Sequence, residues 1–169
     1  MKVYLLIGLP GSGKSTWSFN KARSDEKIII INRDCFRSMI KNEYTFNFLY
    51  EPFIKRVSLE TIKVALEYGF DIIIDETHVK QSRRIEIVKA IKDYENSYGL
   101  ININRIKIIY VWFTENQNNI KYRMKENRGY TREKWEEVIQ GMKEIFEEPT
   151  IDEGYDELIK INPMEEIHG

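Results

Sequence analysis

The stretch that most constrains the fold of this chain is "GLPGSGKSTW", Gly8 to Trp17, which directly follows the apolar run "KVYLLI". Gly8, Gly13, Lys14 and Ser15 satisfy G-x-x-x-x-G-K-[ST] between a predicted strand and a predicted helix, the context in which the motif builds a phosphate-binding loop. Glycines let successive backbone N–H groups turn inward around phosphate oxygens, and the helix N-terminus adds its dipole. The predicted cradle comprises Gly8, Pro10, Gly11, Ser12, Gly13, Lys14, Ser15 and Thr16. Lys14 neutralises charge on the β- and γ-phosphates, and the Ser15 hydroxyl is placed for Mg²⁺. ATP and Mg²⁺ are therefore the expected substrate and metal.

Apolar runs alternate with helical patterns along the rest of the chain. Strands are predicted at "KVYLLIG", at "KIIIIN" (Lys27 to Asn32), at Asp71 to Asp75, at Arg105 to Phe113 and at "ELIKI". Their cores are apolar without alternation, as parallel strands covered on both faces are. Helices are predicted over Glu51 to Tyr68, ending at Gly69, and over Gln81 to Ser97, stopping before Gly99. Thr114 and Gln117 have capping-box spacing. The alternation predicts an α/β, doubly wound sheet of five mostly parallel strands with helices on both faces, which with the glycine-rich loop makes a P-loop NTPase the expected class. A small helical lid is expected from an arginine-bearing stretch. A single kinase-type domain is expected over 1–161, with the lid at about 121–135 and a tail at 162–169. No second domain and no internal repeat are read.

A later carboxylate completes the nucleotide side. Asp75, at the end of "IIID", can reach Mg²⁺ or its waters, the plain alternative being a cap on the next helix. Glu76 beside it is expected to be solvated, though it competes with Asp75 for the same role. Guanine readout is not expected: the one "NK" dipeptide, Asn20-Lys21, lies in the first helical run and is followed by Ala22 and Arg23 rather than x-Asp. Small phosphotransferases of this kind need an acceptor-side base near the second strand and an arginine-bearing lid. "INRDCFRSMI" offers the first: Asp34 and Arg37, spaced i, i+3, share one helix face. The carboxylate can take a proton from an incoming hydroxyl while the arginine holds an anionic group of the same acceptor. The alternative is that Asp34 only caps or charges a helix start. "IKYRMKENRGYTRE" offers the lid, with Arg123, Arg128 and Arg132 as cations for the transferring phosphoryl group, or as a solvated basic face.

Taken together, "GLPGSGKSTW", "INRDCFR", "IIIDETH…RR" and "R…RG" resemble the bacteriophage and cellular polynucleotide 5′-kinases. "FEEPTIDEGYDELIKI" is similar to the tail of the eukaryotic enzymes, so the resemblance runs from Met1 to about Ile161. It implies that Lys14 and Ser15 bind ATP and Mg²⁺ and that Asp34 activates the 5′-hydroxyl of DNA or RNA. It further implies that Arg37 binds the phosphate on the 3′ side of the acceptor nucleotide, with Thr77 beside it, and that Arg128 sits on the ATP phosphates. The chain departs from the family at Cys35, often acidic in phage relatives, and at His78, where asparagine is common. The lid arginines Arg123 and Arg128 are separated by four residues rather than three. The D-x-D-x-T signature of the 3′-phosphatase is absent. A nucleic-acid repair role as a kinase alone is the expectation.

Two alternatives share every ATP-side residue. One is a small-molecule kinase acting on a sugar acid, nucleoside or antibiotic hydroxyl; the other is a nucleotide-binding module without transfer. A net charge of −1 is unlike that of a chain that coats duplex DNA, so nucleic-acid contact should be local, at a single-stranded end. "NEYTFNFLYEPF", with Tyr44, Phe46, Phe48, Tyr50 and Phe53 flanked by Lys41, Lys55 and Arg56, suits base stacking. Packing on the core is the preferred reading for any single ring of that set. The single Cys35 suits a reducing compartment. No membrane contact is expected, and the N-terminal apolar run is broken by Pro10 and Gly11 too early for export. The expected location is the cytoplasm, that of a host if the chain is viral.

Overall fold

The computed structural model describes residues 1–41, 46–97, 105–115 and 131–162. In chain order the described elements are β1 (Lys2–Ile7), α1 (Lys14–Arg23), β2 (Ile28–Ile31), α2 (Arg33–Lys41), α3 (Glu51–Glu67), β3 (Asp71–Ile74), α4 (Gln81–Ser97), β4 (Lys107–Phe113), α5 (Arg132–Glu144), a 3₁₀ turn (Ile151–Glu153) and β5 (Glu157–Ile161). The five strands form one sheet in the order β2-β3-β1-β4-β5. All four pairings are parallel, with Val3 opposite Ile72 and Ile108, and Leu158 opposite Tyr110.

The uninterrupted apolar character of the strands follows from this double coverage. Successive side chains of a strand point to opposite faces. Val3, Leu5, Ile7, Ile72, Ile74, Ile108 and Tyr110 share one core with Ile62, Ala65 and Leu66 of α3 and Ile87, Val88 and Ile91 of α4. Tyr4, Leu6, Ile73, Ile109, Val111 and Phe113 share the other with Trp17 and Ala22 of α1. The central strands β1, β3 and β4 are buried along most of their length, so few of their residues need to be polar.

Helix ends follow local chemistry. Asn32 opens α2, its Oδ1 accepting the Asp34 N–H at 2.7 Å. Pro52 stands in the first turn of α3, and Gly69, at φ 77°, stops the chain beyond its C-terminus. Thr131 caps α5 by accepting from the Lys134 N–H. The pairing read between Thr114 and Gln117 lies partly outside the described residues. Thr114 itself continues the sheet edge, its N–H donating to the Ile161 carbonyl at 3.0 Å. Residues 121–130 of the expected lid also lie outside the described set, while 131–135 open α5.

Strand order reverses at β1, whose neighbours are β3 and β4. In open α/β sheets a ligand crevice forms beyond the carboxyl ends of the strands at such a point. Three loops meet there: the glycine-rich loop after β1, the Asp75–His78 segment after β3, and the β2–α2 junction that carries Asp34.

Candidate active site

The glycine-rich loop has the backbone its sequence requires. Gly11 and Gly13 take φ values of 79° and 95°, in the left-handed region that glycine enters without a Cβ penalty. Gly8 is required for a second reason: a Cβ there would lie 2.9 Å from the Phe113 carbonyl oxygen and 2.8 Å from Ser12 Oγ. Gly13 caps α1 without a side-chain hydrogen bond, and the first turn of α1 holds no acidic residue. The helix N-terminus therefore presents its amides and the positive end of its dipole to whatever the loop encloses. Lys14 is buried, with Nζ 3.0 Å from the Gly8 carbonyl, 2.8 Å from that of Leu9 and 3.3 Å from Ser12 Oγ, so the ammonium is held at its own loop. Pro10, Ser15 and Thr16 complete this turn at the start of α1.

Asp75 lies at the edge of the cradle. It is 5% exposed, and its Oδ2 accepts from Ser18 Oγ of α1 at 3.2 Å. It does not cap α4: the Gln81 N–H donates instead to Glu147 Oε2 at 2.5 Å. This donor set fits a magnesium–nucleotide: a hydroxyl on the first turn, a carboxylate facing the same helix, a buried ammonium and uncapped amides. Among the described residues no group of three His, Cys, Asp or Glu could hold a metal. A magnesium ion here would thus take most of its ligands from phosphate and water, its usual habit in phosphoryl-transfer sites.

The segment after β3 is stitched to this loop by two hydrogen bonds. The Gly8 N–H donates to the Thr77 carbonyl at 3.0 Å, which places Thr77 beside the cradle. His78, at φ 44°, donates Nδ1–H to the Leu6 carbonyl at 2.6 Å. Burial pushes its pKa down to about 3, so the ring is neutral and serves as a structural hydrogen-bonding residue. Its approach to Glu76, 3.7 Å from Nε2 to Oε2, is for that reason not an ion pair.

Glu76 corrects the expectation from sequence. It is not solvated: its side chain is 6% exposed, accepts from Arg33 Nε at 2.6 Å and leaves Oε1 buried without a hydrogen-bond partner. Loss of water raises its pKa, against the pull of Arg33 and Arg83. The signal that could have found it is Arg33, one turn before Arg37, since β2 and β3 are neighbours and carry the two residues at equivalent ends.

Asp34 and Arg37 do share a face of α2, and they touch: Arg37 Nη1 lies 2.5 Å from Asp34 Oδ1. Because Asn32 supplies the cap, Asp34 is left to face the arginine. The structure adds a partner not read from the sequence. Glu51, in the first turn of α3, grips Arg37 in a two-toothed pair, Nε to Oε1 at 2.7 Å and Nη2 to Oε2 at 2.8 Å. That hydrogen bond holds the Glu51 carboxyl below its ordinary range. Arg33 Nη1 approaches the same carboxylate at 3.7 Å. Arg123 and Arg128 lie outside the described residues, and Arg132 forms an i, i+4 pair with Glu136 on the exposed face of α5.

Behind the site, Arg84 and Glu153 form a fully buried pair, both side chains at 0% exposure, with contacts of 2.7 Å on each tooth. Arg84 Nη1 also donates to the His78 carbonyl at 2.9 Å. The Thr150-to-Glu153 capping box, T-x-x-E, is the local sign of this arrangement. Its partner 69 residues away leaves no local sign.

Comparison with known proteins agrees with the architecture. A family model described as an AAA domain, AAA_33, matches residues 3–149. The L-seryl-tRNA(Sec) kinase of Methanococcus maripaludis is 34% identical over 101 residues, which is 57% of this chain and 38% of that protein. Among solved structures, a fungal RNA kinase superposes with a TM-score of 0.62 at 18% identity, over 95% of this chain and 38% of the other. A gluconokinase from Sinorhizobium meliloti 1021 superposes with a TM-score of 0.55 at 16% identity, over 98% and 86%. The chain thus spans about two fifths of the length of the first two. The chain belongs to the AAA domain family AAA_33, and its fold is that of the P-loop kinases.

Proposed function

We propose that this P-loop kinase transfers the ATP γ-phosphate to a 5′-hydroxyl end of RNA or DNA. The observation that carries the reading is the Asp34–Arg37–Glu51 constellation, tied through Arg33 and Glu76 to the segment that bonds the phosphate loop. A carboxylate touching a guanidinium that is oriented by a second carboxylate suits an acceptor that brings both a hydroxyl and an anion. A neutral sugar has no anion for Arg37 to meet, whereas a sugar acid brings a carboxylate, a case that gluconate tests.

In this mechanism the loop amides and Lys14 hold the triphosphate, and Ser15 with Asp75 would hold magnesium, which supplies charge neutralisation on the phosphates. Arg37 binds the phosphate on the 3′ side of the acceptor nucleotide, beside Thr77, and so aims the 5′-hydroxyl. Asp34 accepts the hydroxyl proton at its carboxylate as the new P–O bond forms. Arg123 and Arg128 are assigned to the charge on the transferring group. Alignment and electrostatics account for most of the rate, since phosphoryl transfer leaves little covalent work to the protein.

A second reading draws support from the tRNA kinase relative: the acceptor hydroxyl could be that of a serine esterified to tRNA. Both readings place the hydroxyl on a nucleic acid or on an amino acid esterified to one. A panel separates them: γ-labelled ATP and Mg²⁺ with a 5′-hydroxyl oligonucleotide, the same strand already 5′-phosphorylated, seryl-tRNA, and gluconate. Label on the 5′-hydroxyl strand alone is expected. Label on seryl-tRNA alone selects the second reading, and label on gluconate alone overturns both.

A further inference from the structure

The end of α2, residues 46–50 and the start of α3 expose apolar side chains that a core would normally take. Phe46 is 44% exposed, Phe48 82% and Phe53 61%, and Met39 and Leu49 are more than three-quarters open. Core packing, the preferred reading of single rings from sequence, is thus not what these three phenylalanines do. Clustered exposed apolar groups mark a binding surface more often than chance.

We propose that Phe46, Phe48 and Phe53 seat the unpaired nucleobases next to the hydroxyl that receives phosphate; this rests on the acceptor reading above. Three observations select a nucleobase as occupant. First, the surface is continuous with the candidate acceptor site through one side chain. The Arg37 guanidinium that meets Asp34 at 2.5 Å also lies over the Phe46 ring, 5.5 Å from its centroid. Second, Phe46 and Phe48 are set edge to face with centroids 5.0 Å apart, so their mutual contact leaves most of the Phe48 ring open as a flat apolar face. Every base has a π-face that such a ring accepts regardless of sequence. Third, the chain carries a net charge of −1, and the basic residues beside Phe53 are committed, Lys55 to Glu86 and Arg56 to Glu60. With those two cations engaged, contact with the first bases adds to the hold that Arg37 has on the acceptor phosphate.

The test measures equilibrium binding of a labelled 5′-hydroxyl hexanucleotide and of the same strand with abasic residues at its first two positions. The unmodified protein, Phe48→Ala and the Phe48→Ala/Phe53→Ala double variant are compared; both rings are exposed, so the fold does not depend on them. The unmodified protein should prefer the intact strand by about tenfold, and the double variant should lose that preference. Equal binding of both strands, or a preference that survives in the double variant, overturns the proposal. So does a self-association by sedimentation that Phe48→Ala abolishes, which would give the rings to a second copy of the chain. Label transfer from ATP is followed in the same samples. Base preference without transfer keeps the platform and removes the 5′-kinase reading, and transfer without base preference does the reverse.

Discussion

His78 occupies a position where the backbone turns left-handed, its ring is sealed from water, and its Nδ1–H is needed by the Leu6 carbonyl. Protonation of the native ring is opposed down to about pH 3, whereas in the unfolded chain it proceeds near pH 6.5. Between those values the unfolded state binds the extra proton, so stability falls as pH falls, by about 1.4 kcal/mol per pH unit. Glu76 contributes in the opposite sense. Loss of water raises its pKa, so the native state holds a proton more readily than the unfolded chain does, and this contribution weakens the fold as pH rises above the ordinary carboxyl range. His78→Asn isolates the histidine, because asparagine tolerates the left-handed backbone and keeps an N–H donor. Melting temperatures at pH 7 and pH 5 should differ less in His78→Asn than in the unmodified protein; an equal difference would contradict this account. The cradle residues were legible in the sequence because their spacing is the site. Glu76 was not, since its burial depends on Arg33 reaching across from the neighbouring strand's end.

The contact between α2 and α3 gives Glu51 its place. Glu51 looked like no more than an acidic residue in a helix's first turn, which favours the helix dipole wherever it occurs. Folding brings it against Arg37, 14 residues earlier, where it fixes the guanidinium by two hydrogen bonds. Glu51→Gln should raise the KM for a 5′-hydroxyl oligonucleotide about tenfold and leave the KM for ATP unchanged. Initial rates over both substrates check this, and an unchanged acceptor KM would remove Glu51 from the positioning of Arg37. Behind the site the Arg84–Glu153 pair locks α4 to the segment before β5. Removing one partner of a buried ion pair costs about 3–5 kcal/mol. Arg84→Ala should therefore lower the melting temperature by about 10 °C. The Arg84→Met/Glu153→Leu double variant should recover more than half of that loss; a double variant no better than the single would contradict a charge-burial origin. Element positions followed closely from sequence. Helices at Glu51 and Gln81 begin where the apolar period starts, and ELIKI forms β5 over its full length. Strand ends shrank by one or two residues, because ladder hydrogen bonds, not hydrophobicity, set them.

Across the whole molecule, the sheet order β2-β3-β1-β4-β5 is what makes one site from three loops. Alternating strands and helices announce a parallel sheet, but the order depends on which crossover passes which strand, and no residue pattern in the chain encodes that. Once β1 stands between β3 and β4, the loop after β1 donates its Gly8 N–H to the Thr77 carbonyl, and Asp75 faces α1 through Ser18. The β2–α2 junction brings Asp34 to the same edge. Nucleotide and acceptor chemistries are thus carried on separate elements and should be separable by mutation. The most direct measurement compares Asp34→Asn with the unmodified protein in single-turnover transfer from saturating ATP to a 5′-hydroxyl oligonucleotide, alongside the Kd for ATP. A fall in rate of at least about 100-fold with an unchanged ATP Kd is the predicted result. Transfer by Asp34→Asn at a near-normal rate would contradict the account at its centre.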